Sequence, residues 1–145
     1  LYVQDLAGGL PRPVAPEGTR FPLSARPVSP DGRRAFARDG DGALRLFPLE
    51  GGAPEPLPGV EREEEPLRFS PDGLFVYAYR PGQVPARVTR VELATGRREP
   101  WLEIHPADRA GVPAITPVQL TADGRGYVYG YRRVLSDLYV VTGVE

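Results

Sequence analysis

The stretch Ser29-Pro30-Asp31-Gly32-Arg33-Arg34-Ala35-Phe36-Ala37-Arg38 decides the fold, because the chain writes it three times. Ser70-Pro71-Asp72-Gly73 leads into Leu74 to Arg80, and the looser Thr121-Ala122-Asp123-Gly124 leads into Arg125 to Arg132. Proline presets the φ angle of a turn, aspartate bonds back to its own backbone, and glycine takes the positive φ that closes it. Asp31, Gly32, Asp72, Gly73, Asp123 and Gly124 are therefore read as structural turn residues joining antiparallel strands. Ser29 and Ser70 lie 41 residues apart, and Ser70 and Thr121 lie 51 apart. A period of about 40–45 residues is that of a four-stranded propeller blade. The longer second interval calls for an insertion, placed at Glu103 to Val112.

The strand after each turn is apolar on both faces. Phe36, Tyr77 and Val128 stand four residues past the glycine, flanked by Ala35 and Ala37, Val76 and Ala78, Tyr127 and Tyr129. Such strands belong to sheets covered by neighbours on both sides. A second marker runs in phase with the first. Leu1 to Gly9 aligns with Leu44 to Gly52 at an offset of 43, then with Val88 to Gly96 at 44, and a shortened copy is Leu138 to Gly143. Each copy is a strand entering a hairpin, followed by a polar outer strand: Arg12 to Ala15, Glu55 to Leu57, Arg97 to Trp101. Proline and charge suit a sheet edge, where they discourage further pairing. No 3.6-residue apolar stripe of useful length runs between the turns, which excludes helical repeats.

The expected fold is all-β, a partial β-propeller of about three four-stranded antiparallel blades. Residues 1–23 supply outer strands of a preceding blade and 24–65 one blade. Residues 66–112 form a blade with an inserted loop, and 113–145 a last blade lacking its outer strand. An open arc buries less than a closed ring. The chain is accordingly expected to be a fragment of a larger ring, or to complete one by self-association through its open blade faces. Its start at Leu1 and its lack of methionine suggest a piece of a longer product.

Composition narrows the function classes. The 145 residues carry a net charge of −1 with no basic block, so nucleic acid is not an expected partner. No apolar run is long enough to span a bilayer, and no membrane insertion by this segment is expected. Without cysteine there is no disulfide framework or thiolate metal site. All 18 basic residues are arginine and asparagine is absent, which is read as genomic codon bias ahead of thermal adaptation. The 18 prolines and 17 glycines punctuate strands.

The repeat Ser-Pro-Asp-Gly plus apolar strand, then a Leu-x-Val-x-Asp-Leu-like strand ending in Gly-Gly or Thr-Gly, resembles the TolB/WD40-like (PD40) propeller repeats over nearly the whole chain. The C-terminal stretch is similar to the end of propellers fused to bacterial serine/threonine protein kinases. That likeness is carried by Trp101, Pro106 to Val112, Leu120 to Gly124 and Tyr129 to Tyr139. The resemblance implies a sensory or protein-binding role on the extracytoplasmic, periplasmic side. No kinase motif is present, so no kinase activity is implied.

Chemistry-bearing residues give no catalytic expectation, no metal site and no cofactor. His105 is the only histidine, and Ser24, Ser29, Ser70 and Ser136 lack a nucleophile-elbow setting. Asp39-Gly40-Asp41-Gly42 has the look of a calcium loop but lacks the following glutamate, and is read as a hairpin turn. Glu61 and Glu63 to Glu65 are read as a solvated acidic connection, and Arg132-Arg133 as a soluble turn. Tyr127, Tyr129, Tyr131 and Tyr139 are read as packing between blades rather than as a glycan or peptide platform. Insertions in repeat folds map to one face, often the binding face. Trp101, His105, Asp108 and Arg109 are therefore the candidate binding residues, for a protein or small ligand. Two rivals remain: a TolB-like envelope interaction protein, and the gating propeller of a prolyl-oligopeptidase-like hydrolase.

Overall fold

The computed structural model describes residues 1–22 and 25–136, and these form eleven strands and no helix. Strands β6 (Glu65–Phe69), β7 (Phe75–Tyr79), β8 (Ala86–Glu92) and β9 (Arg98–Ile104) make one four-stranded antiparallel sheet in sequence order. Before it, β3 (Arg34–Arg38), β4 (Leu44–Pro48) and β5 (Glu55–Pro56) form a three-stranded sheet. Its inner edge is extended by single bridges of Arg20 to Arg38 and Val28 to Ala35. A two-stranded sheet of β1 (Tyr2–Val3) and β2 (Arg12–Pro13) precedes these, and one of β10 (Ala114–Leu120) and β11 (Tyr127–Arg132) follows. The described residues are all-β, a partial propeller of consecutive antiparallel sheets that do not close into a barrel. The shortened strand copy at Leu138 to Gly143, Tyr139 and Ser24 lie outside the described residues.

Period-two alternation divides the core into two interfaces between sheets. Val76 on β7 joins Phe36, Leu44, Leu46 and Phe69 against the preceding sheet. Tyr77 and Tyr79, pointing the other way, join Val88, Ile104, Ile115 and Val118 against the following one. Phe36 and Phe69 bring their ring centroids to 5.3 Å across the first interface. Such a pair adds about 1 kcal/mol beyond the area it buries. Along the inner edges the sheets run parallel to one another, with the Arg26 amide donating to the Leu67 carbonyl at 2.7 Å. Val128 is at the repeat position of Phe36 and Tyr77, yet it is 70% exposed because no described residue covers that face of β11.

Two expectations need correcting. The extra length of the second repeat is not confined to a loop at Glu103 to Val112. Strand β9 has seven residues where β5 has two, so Glu103 and Ile104 are edge-strand residues and the loop is 105–113. The acidic connection is not uniformly solvated either. Glu65 opens β6, and Glu64 is buried at 5% exposure. Its burial is tolerated because Arg98 meets it with two hydrogen bonds of 2.8 Å.

Candidate functional site

The three Asp-Gly turns have the same internal bonding. The Ser29 hydroxyl donates to Asp31 Oδ1 at 2.6 Å and accepts from the Arg34 amide at 2.9 Å, while Asp31 Oδ1 also accepts from the Arg33 amide at 3.0 Å. Ser70 and Asp72 bond likewise with the Leu74 and Phe75 amides, and Thr121 and Asp123 with the Arg125 and Gly126 amides. Gly32, Gly73 and Gly124 have φ of +70°, +72° and +70°. The seryl or threonyl hydroxyl holds each of the three aspartates below the usual carboxylate range, with the backbone amides adding to it. Sequence reading credited proline, aspartate and glycine and missed the hydroxyl at the first position. Its signal was there: threonine replaces serine in the third copy, keeping the hydroxyl where proline is lost. Asp39-Gly40-Asp41-Gly42 is the β3–β4 hairpin, in which Asp39 accepts from the Asp41 and Ala43 amides and pairs with Arg45 at 2.9 Å.

The connections between blades are tied down by residues far apart in sequence. Arg80 pairs with Glu61 at 2.8 Å, and Arg133 pairs with Asp108 at 3.1 Å. Each pair links a connection to the segment at or just beyond the end of the following blade's second strand. Gly59 and Gly111 both have φ of +67°, and each lies against backbone: a Cβ on Gly59 would come within 2.3 Å of the Gly96 carbonyl oxygen, and on Gly111 within 2.1 Å of that of Val134. For Glu64, burial raises the pKa, but the Arg98 hydrogen bonds and the Glu61 amide outweigh it and leave the carboxyl below its ordinary value. Neither glycine nor the Glu64–Arg98 pair was singled out from sequence, and no local pattern announces them.

The four candidate binding residues lie on two consecutive elements, a strand and the loop after it. Trp101 sits on β9, an edge strand, at a bulge: Val88 pairs with Leu102 and Thr89 with Pro100, leaving Trp101 as the extra residue. Bulges re-aim side chains and roughen edges against further pairing. The Trp101 ring packs on Tyr77 with centroids 4.5 Å apart and is half-buried. Beside it runs an open groove lined by Val88, Thr89, Pro100 and Leu102, with Arg87 and Glu103 paired at 3.2 Å along its rim. His105, Asp108 and Arg109 lie on the 105–113 loop and are exposed. His105 Nδ1 is 3.2 Å from the Pro106 carbonyl oxygen, and the His105 carbonyl accepts a long 3.4 Å bond from the Tyr129 hydroxyl. Asp108 is committed to the Ala110 amide and to Arg133. Tyr127, Tyr129 and Tyr131 form a row with centroids 6.1 Å apart, of which Tyr129 reaches the core. The Tyr79 ring is fully enclosed in the core.

Among the described residues no three metal-ligating side chains gather, and no helix is long and apolar enough to cross a membrane. No family model matches the chain, and neither does any curated protein.

Proposed function

We propose that this chain is a non-catalytic binding module, a run of propeller blades that holds a fixed surface toward a protein or a small ligand. The observation that carries the reading is the Trp101 bulge: a large aromatic ring at a rigid sheet edge, half-covered by Tyr77 and bordered by an apolar groove. Aromatic side chains held on rigid elements bind at a low ordering cost. The repeat resemblance supports a PD40-type propeller from a bacterial signalling protein, with a kinase upstream and the blades on the extracytoplasmic side. A TolB-like envelope role and a hydrolase-gating role are the rivals, and the domains encoded beside this segment separate all three.

Trp101 is the only tryptophan, so its fluorescence reports on this groove alone. Titration with short peptides carrying aliphatic or aromatic side chains is expected to shift or quench its emission saturably. It should also move the amide resonances of Arg87 to Thr89 and Trp101 to Glu103. Saturating peptide that leaves both unchanged would remove the groove as the binding surface. A second mode, association of copies through the last blade, is supported by the 70% and 75% exposures of Val128 on β11 and Leu135 just beyond it. Light scattering over a concentration series tests it: a mass that rises to a discrete oligomer supports it, and a constant monomer mass excludes it.

A further inference from the structure

We propose that the seam between the inner strands holds an oxyanion site, built by Arg26 and Arg68, that takes the carboxylate or phosphate group of a small ligand. Arg26 and Arg68 are direct partners in a parallel bridge between two consecutive blades. Directly paired residues of adjacent strands project to the same side of the sheet, and like charges so placed repel. Both arginines line one pocket with Leu67, Gln119, Leu120 and Ala122, and that lining contains no acidic residue. Among the described residues neither arginine forms an ion pair.

Most of their donors have no partner among the described residues. A guanidinium offers five N–H groups in a fixed fork. Arg26 gives one weak 3.5 Å contact to the Ala25 carbonyl, and Arg68 reaches the carbonyls of Phe69 at 3.3 Å and Leu120 at 3.1 Å. Arg38 makes the contrast. It too stands opposite an arginine, Arg20, but its guanidinium donates to the carbonyls of Gly42, Arg62 and Glu64 at 2.6 to 3.0 Å. Arg38 is thus held by backbone carbonyls, whereas among the described residues Arg26 and Arg68 each keep N–H groups without a partner. The bond from Arg68 to Leu120 fixes that side chain across the next blade's inner strand, so the site spans three consecutive inner edges. Bidentate recognition of a planar or tetrahedral oxyanion is what two such forks do best. Gln119, exposed on β10, lies in the same lining, where Leu67 and Leu120 are buried in the core beneath it. The site is separate from the Trp101 groove, and either can fail without the other.

The test uses the whole chain, with inorganic phosphate and with succinate, each titrated at constant ionic strength held by sodium chloride. Saturable binding of either is expected, and which anion binds more tightly identifies the source as phosphate or carboxylate. Arg26→Gln and Arg68→Gln should each weaken binding by about tenfold, and Arg125→Gln, in an exposed turn, should leave it unchanged. No binding of either anion above the chloride background, or binding indifferent to Arg26→Gln, overturns the proposal. A measurement without ligand guards against a merely unfolded variant: at low salt Arg26→Gln should melt at or above the parent temperature, since it removes a like-charge pair. A clear drop in its melting temperature would overturn the proposal as well, because the two arginines would then be supporting one another.

Discussion

Between Ser29 and Arg34 the chain reverses with hydrogen bonds that begin and end inside six residues. Between Leu57 and Glu64 it reverses by leaning on other strands. Gly59 touches the β8–β9 hairpin at Gly96, Glu61 pairs with Arg80 beyond β7, and Glu64 pairs with Arg98 on β9. The first kind of turn is self-contained, so it can be copied three times with one geometry. The second kind has local bonds between Glu61 and Glu64 but takes its remaining partners from the next blade. Blades are therefore locally specified at the Asp-Gly end and mutually specified at the connecting end. Substitutions at the two ends should differ in size and in coupling.

The largest effect is expected at Gly59. A side chain there must both adopt φ near +67° and displace the Gly96 carbonyl and Val91 Cγ1, which a Cβ would approach to 2.3 and 2.7 Å. Neither obstacle is the free end of a flexible side chain. Gly59→Ala should lower unfolding stability by about 4 kcal/mol in urea denaturation. A loss under about 1 kcal/mol would mean that the connection can shift away from β8 and β9 at little cost.

Next comes the Glu64–Arg98 pair. Removing the buried carboxylate leaves Arg98 without its bidentate partner, and Arg98 is itself a third exposed. Breaking buried pairs costs about 3–5 kcal/mol, and the exposure of Arg98 brings the expectation for Glu64→Ala down to about 2. Because the Glu64 carboxyl is held below its ordinary value when folded, its contribution is complete above the usual carboxylate range. That contribution is lost as pH falls through the folded pKa. Glu64→Gln should accordingly flatten the acid side of the stability profile, and a double-mutant cycle with Arg98→Ala should show positive coupling. Additive losses would make the pair incidental.

A smaller and more uniform effect is expected at the Asp-Gly turns. Gly73 has φ of +72° but its Cβ position is open, with nothing nearer than Pro30 Cδ at 3.7 Å. Gly73→Ala should therefore cost only the left-handed conformation, about 1–2 kcal/mol. Gly32→Ala and Gly124→Ala should cost the same if the turns are independent of their surroundings. A spread among the three wider than about 1 kcal/mol would show that neighbouring blades contribute to them after all.

The same contrast explains what could be read from the chain alone. Asp31, Asp72 and Asp123 were legible because the atoms they bond lie within a few residues, so the motif carries its own partners. Phe36, Val76 and Tyr77 were legible because alternation on a strand reports covered faces. Glu64 was misread as solvated since its partner is 34 residues away and on a different strand. Trp101 was singled out, but its bulge depends on how β8 and β9 register, and no residue type at 100–102 encodes that count. The separation of Trp101 from His105 and Arg109 followed from β9 continuing to Ile104. The outer strand was legible at Arg97 to Trp101, but its continuation through Glu103 and Ile104 reads as the start of the inserted loop. How far an edge strand runs depends on its pairing, here with β8.

The smallest effect is expected at Asp108, where the connection between the second and third blades repeats the tie of the first in weaker form. Asp108 pairs with Arg133 at 3.1 Å as Glu61 pairs with Arg80 at 2.8 Å, both on the surface. Among the described residues, however, no buried pair like Glu64–Arg98 stands behind Asp108. Exposed ion pairs contribute about 0.2–1 kcal/mol and are screened by salt. Asp108→Ala should thus lower stability by no more than about 0.5 kcal/mol, with the difference fading at high salt. The same variant separates position from function. Unchanged stability with weakened peptide binding would make the 105–113 loop part of the binding surface beside the Trp101 groove. Unchanged stability and unchanged binding would leave Asp108 as the exposed counterpart of a tie that only the first connection, with Glu64 buried behind it, makes strong.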